Sequence, residues 1–212
     1  MKKPILKIFK ARTKSVNLQA GMSYAELIVV LGIFSVMSAI AIYNYGAFQA
    51  KVDIKNLAND IALKVVQAQK DASFGKLPLY GSFGVNKPSY GVHFNRGLDT
   101  KSFVYFADLD ASKVYTPGTL TCVPGTTYEC LEKIGIKKGN YISDISIFYK
   151  DSSVISYPNG FYLTFTRPSS ELTVAGTGPV LNNVDYAQIT VLSPKGISAK
   201  IKVYASGRIQ IN

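Results

Sequence analysis

An uncharged apolar run near the start of the chain constrains its fold more than any other feature. From residue 27 to residue 43 the sequence reads LIVVLGIFSVMSAIAIY, seventeen residues with no charge and only two serines, Ser35 and Ser38. At about 1.5 Å per residue, a helix of this length extends roughly 26 Å, close to the hydrocarbon thickness of about 30 Å of a bilayer. Because no polar face interrupts the run, we predict a membrane-spanning helix and not a helix in the core of a soluble domain.

Positive charge is concentrated ahead of this run. The 212 residues include 24 Lys and Arg and 13 Asp and Glu, which gives a net charge of +11. Six of the bases and none of the acids fall within residues 1–21, and the remainder carries 18 bases and 13 acids, or +5. That value is ordinary for a domain surface. Basic residues before a span predict that residues 1–21 face the cytoplasm and that the C-terminal part lies on the other side.

The order of these segments differs from that of a secretory signal peptide. A signal peptide has a basic region, a short apolar stretch and then a small-residue cleavage site. Here a polar stretch, residues 15–20, and Gly21 separate the basic residues from the apolar run, and residues 44–50 offer only a poor cleavage site. We therefore predict cleavage before the apolar run, which would remain on the mature chain as an anchor.

One acid, Glu26, stands at the edge of the apolar run with no basic residue within helical reach. An ionised carboxylate in or near lipid is costly, by about 2.5–3.5 kcal/mol for the related Asp, so Glu26 should have a partner. Cleavage after Gly21 would create an α-amino group on Met22. That amine could neutralise Glu26, either within its own helix or from a neighbouring chain.

The segment AGMSYAELIVVLGIFSVMSAIAIYNY is similar to the N-terminus of type IV pilins and pseudopilins, in which a basic leader ends in Gly and a Glu is fifth in the mature chain. The resemblance implies that a membrane-embedded prepilin peptidase cleaves between Gly21 and Met22 and methylates the new amine. It also implies that Glu26 pairs with the N-terminus of an adjacent subunit when helices pack into a filament. Met22 stands where Phe is usual, and residues 23–25 (SYA) replace the commoner Thr-Leu-Ile.

The rest of the chain predicts an α+β fold. Apolar residues at helical spacing continue the helix from about residue 23 to about residue 73, where Gly75 and Pro78 should end it. The apolar stripe of its second half is predicted at Val52, Leu57, Ile61, Val65 and Ala68. Short alternating or aromatic runs then predict strands at 90–95, 102–107, 142–150, 160–166, 185–192, 197–205 and 208–211, with a hairpin turn at 193–196.

The predicted organisation has four parts. Residues 1–21 form a leader peptide, 22–45 a transmembrane or filament-core helix, 46–75 an amphipathic half of the same helix, and 76–212 a globular β-rich domain. We expect the amphipathic half to pack on an antiparallel sheet, an arrangement that pilin-like proteins share. The small residues Gly32, Ser35, Ser38 and Ala39 should let neighbouring helices approach closely.

The phrases SYGVHF, FVYFADLD and ASGRIQIN resemble the GspH/FimT group of pseudopilins and minor pilins. The resemblance implies a structural, non-enzymatic subunit of a type II secretion pseudopilus or a type IV pilus. Its implied partners are the prepilin peptidase, other pilin or pseudopilin subunits, an inner-membrane assembly platform and membrane lipid.

Two cysteines, Cys122 and Cys130, bracket the sequence CVPGTTYEC, whose Pro-Gly turn would let its ends approach. A location outside the cytoplasm favours a disulfide between them, since such compartments are oxidising. Two free buried thiols are the alternative.

No cofactor is predicted, and calcium is the alternative that the sequence leaves open. The phrase FADLDASKVY has oxygen-bearing side chains at the alternating positions of a calcium loop, Asp108, Asp110 and Ser112. Lys113 stands where an EF-hand needs Gly, and Thr119 where it needs Glu, which excludes that motif. A looser site completed by backbone carbonyls or Glu129 remains, and a solvated turn is the other interpretation.

Catalysis is not predicted. The chain has one histidine, His93, and two cysteines, so a His/Cys zinc cluster is excluded, and G-x-S-x-G, Walker and dinucleotide motifs are absent from the sequence. His93 is expected on the surface, or with its hydrogen bonds satisfied.

Two further functions remain as alternatives. A DNA-binding minor pilin of an uptake system would use aromatic residues beside bases as stacking platforms, here Tyr80, Phe83, Tyr90, Phe103, Tyr105 and Phe106 beside Lys87, Arg96 and Lys101. A role in the sheet core explains these aromatics more simply. The other alternative is an unprocessed, membrane-anchored β-domain protein in which Gly21 is never cleaved.

Overall fold

The computed structural model describes residues 21–77, 88–116, 122, 129–156, 159–168, 171–176 and 180–212. The chain divides between Asn44 and Tyr45 into two compact units. One long helix, α1 (Tyr24–Phe74), begins in the first unit and contributes its residues from Tyr45 onward to the second. The other regular elements of the described chain are antiparallel strands, so the α+β class is confirmed.

In the first unit, α1 presents apolar side chains in every direction. Every large apolar side chain from Met22 to Tyr43 is exposed. By length and composition this helix is able to cross a membrane, and it is the single such helix among the residues described. Polar faces are what normally keep an isolated helix in water, and this segment has none.

The C-terminal end of α1 is closed by a left-handed glycine. Gly75 has φ +60°, and its N–H donates to the carbonyl of Ala72 at 3.0 Å. The N–H of Lys76 donates to the carbonyl of Asp71, also at 3.0 Å. This pair of bonds is the Schellman arrangement, in which glycine avoids the steric cost of a positive φ. The helix therefore begins and ends within one residue of the predicted 23 and 73.

The second unit contains two antiparallel sheets. Sheet A has the order β3-β2-β1-β6-β7-β8, and sheet B the order β11-β10-β9-β4-β5. The strands are β1 (Ser89–Asn95), β2 (Asp99–Asp108), β3 (Cys130–Gly135), β4 (Tyr141–Tyr149), β5 (Val154–Ser156), β6 (Phe161–Phe165), β7 (Leu172–Ala175), β8 (Val180–Leu181), β9 (Val184–Leu192), β10 (Ser198–Tyr204) and β11 (Ile209–Ile211).

All seven predicted strands coincide with observed strands, namely β1, β2, β4, β6, β9, β10 and β11. Four strands were not predicted: β3, β5, β7 and β8. Two of them, β3 and β5, are edge strands with mostly exposed side chains, and β8 has only two residues. Short or exposed edge strands lack the apolar pattern by which sequence reveals a strand.

The predicted hairpin between β9 and β10 is confirmed. Gly196, with φ +80°, donates its N–H to the carbonyl of Ser193 at 3.0 Å, and Ser193 donates to the carbonyl of Ile197 at 2.8 Å. The register pairs Leu192 with Ser198. Along β10 the side chains alternate as expected, with Ala199, Ile201 and Val203 buried and Lys200, Lys202 and Tyr204 on the other face.

The main core of the second unit joins the helix to both sheets. The buried stripe of α1 follows a strict four-three spacing and consists of Ile54, Ala58, Ile61, Val65, Ala68 and Ala72. Three residues of the predicted stripe, Ile61, Val65 and Ala68, belong to it, whereas Val52 and Leu57 are only half-buried. Small alanines at alternate turns let the helix approach the sheets closely, and Ile147, Leu163 and Ile189 are among the strand residues in the same cluster.

A smaller apolar cluster lies on the opposite face of sheet A. Its members are Val104, Phe106, Tyr115, Cys130, Tyr162 and Ala175. Because side chains alternate along a strand, Val104 and Phe106 of β2 point away from the main core, to which Phe103 and Tyr105 contribute. Residues 109–116, called here the covering loop, supply Tyr115 to this cluster.

Candidate functional site

The predicted processing site lies just before the first turn of α1. Gly21 and Met22 are exposed and outside the helix, and a Cβ atom placed on Gly21 would meet nothing within 4 Å among the described atoms. The peptide bond between them therefore lies outside regular secondary structure. Cleavage itself is not visible in an intact chain.

Glu26 has a local partner that the sequence interpretation overlooked. The Ser23 N–H donates to Glu26 Oε2 at 2.9 Å, and the Glu26 N–H donates to Ser23 Oγ at 3.3 Å. These reciprocal bonds form a capping box, which satisfies two of the backbone donors left free at a helix start. The pattern Ser-x-x-Glu was readable in the sequence. Glu26 thus has a role in its own helix, and a carboxylate has acceptor capacity left for a neighbour's ammonium.

The apolar half of α1 offers sites for close helix approach. Around Gly32 a Cβ atom would meet nothing within 4 Å. The Ser35 hydroxyl donates to the carbonyl of Leu31 at 2.8 Å, which satisfies it within the helix. A surface with small residues and internally satisfied hydroxyls is suited to packing against another apolar helix.

The disulfide between Cys122 and Cys130 is present, with the two Cα atoms 5.4 Å apart. Cys130 is the first residue of β3 and is buried in the smaller apolar cluster, against which Cys122 also packs. The disulfide therefore ties the chain that follows the covering loop to the edge of sheet A. The prediction of a disulfide is confirmed, and the alternative of two free thiols is wrong.

Three carboxylates converge beside the covering loop. One oxygen from each of Asp108, Asp110 and Glu129 lies within 4.8 Å of the others. The structure brings Glu129 to the two predicted aspartates because β2 and β3 pair there, with the Ala107 N–H donating to the Glu129 carbonyl at 2.9 Å. Ser112 borders the same group: its N–H donates to Asp110 Oδ1 at 2.9 Å, and its hydroxyl donates to the carbonyl of Val114 at 3.1 Å.

The carboxylates are engaged by backbone amides of the covering loop. Glu129 accepts hydrogen bonds from the N–H groups of Leu109 at 2.9 Å and Thr116 at 2.7 Å. Asp108 accepts from those of Ser112 at 3.1 Å and Lys113 at 3.0 Å. Asx-type bonds of this kind are how acidic side chains fix irregular chain. Their demonstrated role is to hold the loop against sheet A.

Burial and mutual repulsion perturb these acids. Burial raises the pKa of Glu129 to about 7, although hydrogen bonds from Thr116 and Leu109 act to lower it. Burial and the proximity of Asp110 raise the pKa of Asp108 to about 6. Burial also acts on Asp110, but hydrogen bonds from Ser112 hold its pKa below the ordinary value. A hard cation such as calcium prefers oxygen donors of this kind, so the chemistry of the cluster suits it.

His93 is not on the surface. It is fully buried, stacks on Tyr162 with ring centroids 4.4 Å apart, and lies 5.5 Å from the ring of Tyr115 in the covering loop. Its Nδ1 lies 3.3 Å from the carbonyl of Phe161, and its Nε2 has no hydrogen-bond partner among the described atoms. Burial lowers the pKa of His93 to about 4 despite that backbone contact, so the ring is neutral at physiological pH. The expectation of full hydrogen-bond satisfaction is therefore wrong for one nitrogen.

The proposed stacking platforms for nucleic acid are buried. Tyr90, Phe103, Tyr105 and Phe106 are each at most 3% exposed, so none of them can stack on a base. Arg96 is engaged by Asp144 at 2.8 Å and by the carbonyl of Ser143 at 3.0 Å. Lys101 is exposed on β2, and the remaining predicted members, Tyr80, Phe83 and Lys87, lie outside the described residues. The interpretation of these aromatics as core residues holds for the four that are described.

Comparisons with known proteins identified no similar protein. No protein-family model, no curated protein and no solved structure matches this chain.

Proposed function

We propose that this protein is a structural, non-enzymatic subunit of a type IV pilin-like filament, either a pseudopilin of a type II secretion pseudopilus or a minor pilin. The observation that carries the proposal is the division of α1 into an apolar half with exposed side chains and a half whose stripe is buried under two sheets. The second half buries its apolar side chains within the chain itself. The first half leaves its apolar side chains exposed, so lipid or other helices must cover them.

The proposed pathway has three steps. The chain inserts as a single-pass membrane protein with residues 1–21 in the cytoplasm and the β-rich unit outside. A prepilin peptidase cleaves between Gly21 and Met22. An inner-membrane assembly platform then draws the subunit into a filament, in which Glu26 binds the Met22 amine of an adjacent subunit.

The first test measures the intact mass and N-terminal sequence of the membrane-bound protein coexpressed with an active prepilin peptidase. A chain that begins at Met22, with or without one methyl group, supports the proposal. Gly21→Leu should block cleavage, whereas the matched substitution Gly32→Leu, within the span, should leave cleavage intact. Wild-type protein that keeps residues 1–21 beside active peptidase would favour the unprocessed anchor instead.

The capping box allows the assembly role of Glu26 to be separated from its helix role. Glu26→Gln can still accept the Ser23 N–H but removes the charge, whereas Ser23→Ala removes part of the cap and keeps the charge. We expect Glu26→Gln to be processed but absent from sheared filaments of the native cell, and Ser23→Ala to be incorporated. Equal incorporation of both variants would contradict the charge-pairing role.

A further inference from the structure

Two lysines from separate parts of the sequence line a groove at the start of the second unit. The groove lies beside the first turns of this unit's helix and is lined by residues of α1, by the turn between β3 and β4, and by the turn between β9 and β10. Lys138 comes from the first turn and Lys195 from the second. Lys137 precedes Lys138, and Lys51 lies on the exposed side of α1. These four lysines, Lys51, Lys137, Lys138 and Lys195, are called the lysine collar.

The position of Lys195 is defined by a glycine of the helix. A Cβ atom placed on Gly46 would overlap Lys195 Nζ, so the ammonium group lies against the helix at that residue. Any larger residue at position 46 would displace it. Lys195 is therefore held at the second residue of this unit, next to the exposed side chain of Tyr45.

The collar carries excess positive charge. All four lysines are exposed. Lys138 forms an ion pair with Asp53 at 2.6 Å, and Asp53 is the acid that lines the groove. Along the groove, Lys138 and Lys195 outnumber Asp53, and the exposed side chains of Tyr45 and Phe48 stand on the same helix.

The chain places this charge at the end of the apolar segment. A helix needs about 20 residues to cross the hydrocarbon, and twenty residues counted from Leu27 end at Gly46, where Lys195 rests. Within the second unit, Lys51 is five residues beyond Gly46, or roughly 8 Å along the helix. Tyrosines and lysines at a span end are typical of the headgroup region, and anionic lipid attracts each nearby lysine.

We propose that the lysine collar binds the anionic phospholipid headgroups of the bilayer that α1 spans. The inference rests on the membrane anchoring in the proposed function but not on cleavage at Gly21 or on filament assembly. The collar holds the β-rich unit at the membrane surface before assembly. Extraction of the subunit into a filament then requires these headgroup contacts to break.

The test uses the full-length protein in vesicles of phosphatidylcholine containing a minor fraction of spin-labelled phosphatidylglycerol or spin-labelled phosphatidylcholine. Electron paramagnetic resonance measures the fraction of each label immobilised by the protein. We expect a preference for phosphatidylglycerol of roughly threefold or more at low salt, which approaches onefold at about 0.5 M salt because surface charge is screened.

Matched variants assign that preference to the collar. Lys51→Gln/Lys137→Gln/Lys195→Gln should reduce it to the part contributed by residues 1–21, whereas Lys101→Gln/Lys150→Gln/Lys200→Gln removes the same charge from exposed positions elsewhere and should leave it unchanged. Equal preference in the two triple variants would overturn the proposal, as would its absence in the wild type. Cross-linking of collar lysines to acids of a second copy, without a lipid preference, would also overturn it by making the collar a subunit contact.

The experiment separates this inference from the proposed function. Uncleaved chains whose lipid preference falls in the collar variant and not in the control variant support the collar whether or not Gly21 is ever processed, because all variants share the six bases of residues 1–21. Protein that does not float with the vesicles would instead contradict the membrane span on which both proposals rest.

Discussion

The two halves of α1 belong to one continuous helix but have opposite surroundings. Between Met22 and Tyr43 every large apolar side chain is exposed, whereas Ile54, Ile61 and Val65 are each at most 2% exposed. The second half packs within its own chain, on two sheets. The first half contacts nothing of that kind, so its apolar surface must be covered by lipid or by other helices.

Because of this difference, the effect of a substitution on stability can be predicted from a single chain only for the second half. For the second half, burial translates directly into stability, because the apolar area is already removed from water. For the first half, we expect a substitution to leave the folding of the β-rich unit unaltered, because its side chains contribute nothing to that core.

The largest expected difference is between the same substitution in the two halves. Ile61→Ala should lower the free energy of unfolding of the β-rich unit by about 2–5 kcal/mol, since Ile61 is fully buried. Ile33→Ala, at an exposed residue of the apolar half, should change it by no more than about 0.5 kcal/mol. Urea unfolding of the full-length protein in detergent, followed by tyrosine fluorescence, measures both values. Similar losses in the two variants would show that the halves unfold together.

Acid titration should affect the β-rich unit through two of its own buried groups, Glu129 and His93. Glu129 has a folded pKa of about 7, above its ordinary 4.5, so its contribution to stability is fully present below about pH 4.5 and is lost as pH rises through 7. The loss is about 3 kcal/mol. His93 acts in the opposite sense: its pKa is lowered to about 4, so its contribution is lost as pH falls from about 6.5 toward 4.

Glu129→Gln isolates the first of these effects. The difference in unfolding free energy between wild type and this variant should change steadily between about pH 4.5 and 7 and level off above it. Glu171→Gln, at an exposed carboxylate, is the control and should leave the pH profile of the wild type unchanged. A flat difference for Glu129→Gln would contradict a buried, partly protonated Glu129.

The disulfide should stabilise the β-rich unit and leave the membrane segment unaffected. Closing so short a loop contributes about 2–3 kcal/mol in the chain-entropy estimate. Cys122→Ser/Cys130→Ser should lower the unfolding free energy by that amount and leave the fraction of protein in the membrane unchanged. Dithiothreitol should reproduce the loss in the wild type and have no effect on the double variant. Loss of membrane insertion in the double variant would show coupling that the structure does not predict.

The helix and most strands were predictable because their signals are local. The position of α1 was predictable from the apolar run, the helical spacing of apolar residues and Gly75. Seven strands were predictable from alternating or aromatic runs. The edge strand β3 was missed because its exposed Glu132 and Lys133 give no apolar pattern. Ser23 was missed although its capping pattern with Glu26 is local and could have been read.

The tertiary groupings were less predictable because they depend on strand register. Glu129 joins Asp108 through the pairing of β2 with β3, across 21 residues of sequence. The burial of His93 depends on Tyr115 of the covering loop, which no periodicity predicts. The lysine collar likewise combines residues of α1 and two turns. The spacing of these residues in the sequence does not reveal that they lie close together in the fold.

The smallest expected effect is at the capping box. Ser23→Ala should cost about 1 kcal/mol at the first turn, which corresponds to roughly fivefold faster hydrogen exchange of the Glu26 amide. Ser35→Ala is the control, because its hydroxyl bonds to a carbonyl inside the helix and caps nothing. Neither variant should shift the unfolding of the β-rich unit. An unchanged Glu26 exchange rate would mean that the Ser23 hydroxyl does not accept the Glu26 N–H in solution, and the capping box would then consist of the Ser23 N–H bond to the Glu26 carboxylate alone.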